Sequence, residues 1–401
     1  MAIVEIAELD PQLRSLYHKK SLDWRWMGQR LCLDVPVDVF SSHQVDTGTQ
    51  RLLRRIAARG GRWEAALDLG CGYGPICLHL AAAGLAGRVD AIDRDALAVA
   101  FTAHNARSNG LPQVSARGAI AYEHVPPAAY DALVTNLPAK AGRSVHQLIL
   151  LGARRHLRGE GEVWVVAVEP LTQAIDEILA VEAVNIREKT ACKGHVVYSY
   201  SFSGEPPVPA EPYVRAETHF NWKGRQYPMR SLHGLAEFDN RSWATDLMLE
   251  VFRQRFEGKR ITSMLVCEPG QGHVPVLASR IADGVEEIVA VSRDLIALKA
   301  TQANLRGNDY EGPVQCVHSA DLCCTCQEAR PDVALATLNE KETAAVNVEK
   351  TRRLLFSCGG CPVIVGCRSS LGSRLGDKLR ALGIRVPLRK RRKGFCSMLL
   401  E

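Results

Sequence analysis

Two short stretches of this 401-residue chain carry the residue types that a group-transfer site needs. The first is Leu67-Asp68-Leu69-Gly70-Cys71-Gly72-Tyr73-Gly74, an apolar run holding one acid and followed by three glycines at alternate positions. Glycines let a chain turn sharply at the end of a strand, and they let a ligand lie against bare backbone. Roughly 20 residues further on, Asp93 closes the run Val89-Asp90-Ala91-Ile92-Asp93, the place where an acid receives a ribose diol. One carboxylate offers two acceptor oxygens, which suits two vicinal hydroxyls. Asp68 can accept a hydrogen bond from an ammonium group, directly or through water. The second stretch is Asn136-Leu137-Pro138-Ala139-Lys140, at the end of the strand-like run from Tyr130. Its amide can accept hydrogen bonds from an amine. Lys140 either binds a phosphate or carboxylate or is an ordinary solvated loop lysine.

The elements that would position these groups repeat. Trp24-Arg25-Trp26-Met27-Gly28 returns near 200 residues later as Phe220-Asn221-Trp222-Lys223-Gly224. Phe40-Ser41-Ser42-His43, leading to Thr49-Gln50-Arg51-Leu52-Leu53, pairs with Phe238-Asp239-Asn240-Arg241, leading to Thr245-Asp246-Leu247-Met248. The glycine turn pairs with Leu265 to His273, the second strand with Ile288 to Asp294, and a following helix carries Asn105 in one half and Asn304 in the other. Each half ends on a basic turn, Lys193-Gly194 and Lys393-Gly394, read as the tip of an antiparallel hairpin. Strands alternating with helices after a glycine-rich turn predict two tandem Rossmann-like α/β domains. Each is expected to be a mainly parallel seven-stranded sheet with a C-terminal hairpin. The prolines of residues 204–212 cannot sit inside a helix or central strand, so this segment reads as an extended linker. The expected domains are 1–203 and 213–401.

The turn is Gly-x-Gly-x-Gly behind an acid, not the Gly-x-Gly-x-x-Gly of nicotinamide enzymes. With Asp93 and the terminal hairpin, it points to S-adenosylmethionine as the cofactor. A nicotinamide enzyme or a Rossmann-like domain without cofactor are the alternatives. The expected cofactor-binding residues are Asp68, Gly70, Cys71, Gly72, Gly74, Asp93, Arg94 and Asn136, with Gly118 and Ala119 in the loop that flanks the adenine.

From about Phe40 to Phe202 the chain resembles the small methyltransferase domain family. In layout it is similar to the tandem-domain guanine-N2 methyltransferases of small-subunit ribosomal RNA. The resemblance rests on Phe40-Ser41 with Asp46-Thr47-Gly48-Thr49-Gln50, on the glycine turn, and on Asn136 to Gly142. It implies a methyltransferase acting on a base amino group of structured RNA, with Asn136, Pro138 and Lys140 at the acceptor. The family has Asn-Pro-Pro followed by an aromatic that stacks on the base. Here Leu137, Ala139 and Lys140 replace it, and a stacked base is worth roughly 1–3 kcal/mol. Either Tyr73, Tyr122, Trp24 or Trp26 supplies the platform, or the acceptor is not a flipped base. A small-molecule or protein methyltransferase, whose second domain shapes the acceptor site, and a non-catalytic binding protein stand as other readings.

The second half reads as a degenerate copy. Ser292 stands at the position of Asp93, His273-Val274 in place of Tyr73-Gly74, and Thr337-Leu338-Asn339-Glu340-Lys341 against the acceptor loop. A serine cannot replace the charge-assisted contacts of a carboxylate. This half is therefore expected to be catalytically silent. Of the chain's 13 cysteines, Cys323-Cys324-Thr325-Cys326 and Cys358-Gly359-Gly360-Cys361 have zinc-like spacing, but reduced thiols without a metal are the expectation. The run Arg389-Lys390-Arg391-Arg392-Lys393 is either a solvated hairpin tip or an RNA contact, with RNA favoured. The formal net charge of +6 permits that partner without requiring it. An acid-bearing start and apolar runs no longer than a strand predict a cytoplasmic protein without a membrane partner. Oligomeric state is not legible.

Overall fold

The computed structural model describes residues 3–5, 9–39, 43–325 and 330–401. The expected Phe40-Ser41-Ser42 and Cys326 lie outside them. The chain divides into two units, His18–Tyr213 and a second made of Met1–Tyr17 with Val214–Glu401. The N-terminal segment expected in the first domain thus belongs to the second. The reason is local: Val4–Glu5 pairs in parallel with Val314–His318 and extends that sheet by one edge strand.

In the unit His18–Tyr213, strands β1 (Trp63–Leu69), β2 (Ala86–Asp93), β3 (Val114–Gly118), β4 (Tyr130–Asn136), β5 (Leu157–Val168), β6 (Val184–Cys192) and β7 (His195–Phe202) form one sheet. Their order is β3-β2-β1-β4-β5-β7-β6. β7 runs antiparallel to β5 and β6, and the inner strands are parallel. The centre of β1 and β4 is fully buried, as expected for strands covered on both faces. The second unit repeats the plan with β8 (Ser263–Cys267), β9 (Glu287–Ser292), β10 (Val314–His318), β11 (Val333–Thr337), β12 (Val363–Arg368), β13 (Leu388–Arg392) and β14 (Phe395–Leu400). Inward from its extra edge strand the order is β10-β9-β8-β11-β12-β14-β13.

The aromatic stretches that open each half are two-stranded hairpins, His18–Trp26 with Gln29–Pro36 and Val214–Trp222 with Arg225–Leu232. Both turn on a residue pair with positive φ, Met27-Gly28 at 49° and 79° and Lys223-Gly224 at 50° and 80°. That is the turn whose twist matches a hairpin. The repeated asparagines fasten these hairpins to the helix behind β2 or β9. The Asn105 amide donates to the carbonyls of Asp34 and Tyr73, both at 2.9 Å. Asn304 donates to those of Arg230 and Gln271, at 3.0 and 2.8 Å. Among the described residues no helix is long and apolar enough to cross a membrane.

Candidate functional site

β1 delivers Asp68 and the glycine turn to the C-terminal edge of the first sheet. Gly70, Gly72 and Gly74 have φ of 82°, 60° and 98°, so each turn position favours a residue without a Cβ. A Cβ at Gly70 would meet nothing within 4 Å, so open space lies directly above that backbone. At Gly74 it would meet Leu78 Cδ1 at 2.8 Å, so this glycine is needed for packing of the helix Pro75–Ala82 that it caps. The helix holds Asp68 in turn: the Cys77 amide donates to Asp68 Oδ2 at 3.0 Å. The other oxygen, Oδ1, is buried without a partner. A buried acceptor with no donor carries a desolvation cost that an arriving ammonium would relieve. Burial pushes the Asp68 carboxyl up to about 7.

Asp93 ends β2 beside this turn. Its Oδ2 accepts from the Gly72 amide and its Oδ1 from the Asp95 amide, both at 3.0 Å. The carboxylate thereby pins the glycine turn, and each oxygen keeps lone-pair capacity for a hydroxyl. Burial pushes it up to about 6. Ala119 donates its amide to the Asp93 carbonyl at 3.0 Å, which carries the chain past Gly118 along the edge of the same space. Cys71 is buried and Thr102 Oγ1 donates to its sulfur at 3.5 Å, so what it presents to the turn is backbone. Arg94 lies half-buried one residue beyond Asp93. An open cradle, a buried acid with one oxygen unsatisfied and a second acid with spare acceptor capacity fit an amino-acid-bearing nucleoside such as S-adenosylmethionine. The sulfonium methyl it brings is the electrophile.

The acceptor loop leaves β4 at Asn136. Leu137 turns into the core and its amide donates to the Val166 carbonyl at 2.8 Å, whereas Pro138, Ala139 and Lys140 are exposed. His146 holds the loop from below, with Nε2 at 2.8 Å from the Pro138 carbonyl. The Asn136 amide nitrogen donates to Asp46 Oδ2 and to Thr49 Oγ1, both at 3.1 Å. Asp46 also caps the helix Thr47–Arg59, accepting from the Thr49 amide at 3.1 Å. The sequence holds Asp46 and Thr49 three positions apart, but spacing does not show that the Asp46 oxygen reaches across to Asn136.

Of the four aromatics expected as a stacking platform, three are buried and the fourth, Trp26, is half-buried. Tyr122 is buried, stacked on His156 at 4.8 Å between ring centres. Tyr73 is buried. Trp24 packs on His79 at 5.6 Å, and the Arg54 guanidinium lies 5.1 Å from the centre of the Trp26 ring.

The second unit shows what closure of the same space looks like. The Glu268 amide donates to the Val291 carbonyl as the Gly70 amide does to that of Ile92, at 2.9 and 2.8 Å. Gly272 caps its helix with φ 90° as Gly74 does. These bonds shift the pairing read from sequence by two residues: not His273-Val274 but Gln271-Gly272 stand at Tyr73-Gly74, Gly270 matches Gly72, and Glu268 stands at Gly70. The Glu268 side chain crosses the opening to accept from Ser292 Oγ at 2.7 Å and from the Arg293 amide at 3.2 Å. Val266 replaces Asp68. Lys350 and Glu342 pair beneath at 2.7 Å, with Arg293 3.4 Å from Glu342. Tyr17, from the N-terminal helix Pro11–Tyr17, donates to Glu342 Oε1 or the Ala320 carbonyl, each 3.3 Å away. Ala320 follows Ser319, whose amide meets the Ser292 carbonyl as that of Ala119 meets Asp93, so Tyr17 bonds the loop that corresponds to the one after Ala119. No sequence signal marks Tyr17 for this place.

β13 distributes the basic run over both of its faces, as strand alternation requires. Lys390 and Arg392 share Glu250, at 3.6 and 3.3 Å. Arg391 donates to Ser373 Oγ at 3.1 Å, and Arg389 has two guanidinium nitrogens buried without partners. None of the twelve described cysteines is in a disulfide. Among the described residues no three His, Cys, Asp or Glu side chains converge on a possible metal position.

The methyltransferase small domain family matches residues 32–199. The uncharacterized protein YbxB of Bacillus subtilis is 30% identical over 185 residues, 43% of this chain and 89% of that protein. Ribosomal RNA small subunit methyltransferase C of Acinetobacter baumannii (strain AYE) is 32% identical over 146 residues, 35% of this chain and 42% of that protein. Ribosomal RNA large subunit methyltransferase G of Streptomyces coelicolor is 32% identical over 176 residues, 40% and 45% of the two chains. The chain thus matches less than half the length of these two RNA methyltransferases. A solved structure of a T. thermophilus 16S rRNA N2 methyltransferase, RsmC, in complex with AdoMet and guanosine superposes with a TM-score of 0.70. It is 22% identical and the match covers 97% of this chain and 99% of that one, a likeness of fold across both units.

Proposed function

We propose that this chain, which belongs to the methyltransferase small domain family, uses its unit His18–Tyr213 to transfer a methyl group from S-adenosylmethionine to a base amino group of structured ribosomal RNA. The observation that carries the acceptor chemistry is Asn136. Its amide nitrogen is taken up by Asp46 and Thr49, so the atom left for a substrate is Oδ1, an acceptor that calls for an N–H. Accepting that hydrogen bond holds the amine with its nitrogen toward the methyl group. In-line transfer then needs little beyond positioning. Asp68 receives the ammonium, Asp93 the ribose, and the turn Gly70 to Gly74 the body of the cofactor. Gly118 and Ala119 flank the adenine. Pro138 and Lys140 lie exposed beside the acceptor, where a lysine can meet a phosphate. The solved relative carries the name of an rRNA N2 methyltransferase and was crystallised with guanosine, which favours a guanine amino group. The domains are 18–213, active, and a silent second unit of 1–17 with 214–401.

Incubation with methyl-labelled S-adenosylmethionine and either ribosomal RNA or assembled small subunits tests this. Label recovered in an N-methylated base is the expected result. Label appearing only in protein or in a metabolite extract would reject the RNA acceptor. That second reading has one observation in its favour, namely that Tyr73, Tyr122 and Trp24 are buried within the fold and the Arg54 guanidinium lies over the Trp26 ring.

A further inference from the structure

Asp46 and Thr49 approach Asn136 from the start of the helix Thr47–Arg59, which Asp46 caps. A side-chain amide has two faces of opposite character, and rotating it by half a turn exchanges an acceptor for a donor pair. At Asn136 the surroundings choose between them. A carboxylate can only accept, so the atom within 3.1 Å of Asp46 Oδ2 must be the nitrogen. The Thr49 hydroxyl takes the second hydrogen, also at 3.1 Å. Both N–H bonds are used, and among the described residues Oδ1 has no hydrogen-bond partner.

The second unit lacks this arrangement although its scaffold is kept. Asn347 bonds the Asn339 carbonyl at 2.9 Å, just as His146 does that of Pro138, so the loop support persists without chemistry. The helix start persists too, with Ser242 accepting from the Thr245 amide at 3.2 Å. What changes is the acid, to Ser242, and the amide, to Thr337. The capping role is thus separable from the contact to β4.

We propose that Asp46 and Thr49 are positioning residues that lock the Asn136 side chain with its oxygen toward the acceptor, and so restrict the reaction to groups that carry an N–H. The proposal rests on Asn136 meeting the acceptor. A ring nitrogen without hydrogen would face oxygen against lone pair and be rejected. An amino group satisfies the lock without any movement of the protein.

The test replaces Asp46 by the residue that the silent copy uses in the same cap. Asp46→Ser should keep the thermal midpoint and the cofactor Kd, while kcat falls by roughly tenfold or more. Asp46→Asn keeps one acceptor oxygen and should recover most of that loss. On an Asn136→Ala background, Asp46→Ser should cost nothing further, because the two residues act as one unit. A parent-like kcat in Asp46→Ser beside a slow Asn136→Ala, or losses that multiply in the double variant, overturns the lock and leaves the function of Asn136 standing. A parent-like kcat in Asn136→Ala overturns both. If the serine variant does not fold, the comparison of Asp46→Asn with Thr49→Val decides: a slow Thr49→Val with unchanged cofactor Kd supports the lock, and a parent-like one overturns it.

Discussion

The two units share a sheet order, a hairpin with the same turn, an asparagine that ties it down and a helix capped by glycine, yet one presents an open cradle and the other a filled one. Three positions make the difference. Gly70 leaves space above its backbone where Glu268 sends a carboxylate across to Ser292. Asp68 has a buried oxygen without a donor, where Val266 has nothing to satisfy. Asp93 offers two acceptors where Ser292 is already spent on Glu268. The lesson is that a duplicated fold is held by its hairpin and helix contacts, which both copies retain. Its chemistry hangs on a few side chains that can be lost without disturbing those contacts. The second unit fills the corresponding space with its own Glu268 side chain.

The comparison breaks most directly if the closed arrangement is copied into the open one. Gly70→Glu should place a side chain in the cradle and abolish cofactor binding, a loss of at least about 100-fold, equal to about 2.7 kcal/mol. Calorimetry alongside thermal unfolding separates blockage from misfolding. The converse change, Tyr17→Ala, empties a buried aromatic position in the second unit. It should destabilise that unit by about 3–5 kcal/mol while leaving cofactor affinity in the first unit unchanged, as a two-probe unfolding experiment would report.

Removing one acid sharpens the contrast. Asp93→Ala should weaken the cofactor by about 1.5–3 kcal/mol, the range for bonds to a charged group, and Ser292→Ala should leave affinity as it is. Titration gives the next effect. Asp68 is pushed up to about 7 by burial and Asp93 to about 6. An ammonium binds the ionised acid, and Asp68 becomes mostly protonated as pH falls below about 7. Affinity should therefore be flat above that point and drop toward pH 6 by up to about tenfold per unit. Asp68→Asn should remove the dependence on pH along with much of the binding, and a profile that persists in it would assign the titration elsewhere. The smallest effect belongs to the basic strand. Neutralising Arg389, Lys390, Arg391 and Arg392 together should lower the salt slope of RNA binding by fewer than four phosphate contacts, each worth up to about 0.9. Arg389 is turned inward, and Lys390 and Arg392 already share Glu250. An unchanged slope would remove this strand from the RNA contact.

Much of this was legible in the sequence, because glycines at strand ends, an acid after the next strand and a second copy of the pattern are local features with few physical explanations. The sheet, the hairpin ends and the asparagines at 105 and 304 follow from such features. What escaped are contacts whose partners are far apart in the chain. Val4–Glu5 joins a strand more than 300 residues away, since edge pairing leaves no mark on a two-residue segment. Tyr17 reads as one more apolar residue of a short helix. The pairing of the second glycine turn slipped by two because Glu268, with φ of 52°, takes a backbone shape expected of glycine. The reach of Asp46 to Asn136 depends on how helix and sheet are packed, which local sequence does not carry.

The account stands on one open and one closed copy, and the stoichiometry of cofactor binding measures that directly. Isothermal titration of the full chain with S-adenosylmethionine should give one site per chain, lost in Gly70→Glu and intact in Ser292→Ala. Two equivalent sites, or a single site that survives Gly70→Glu, would contradict it.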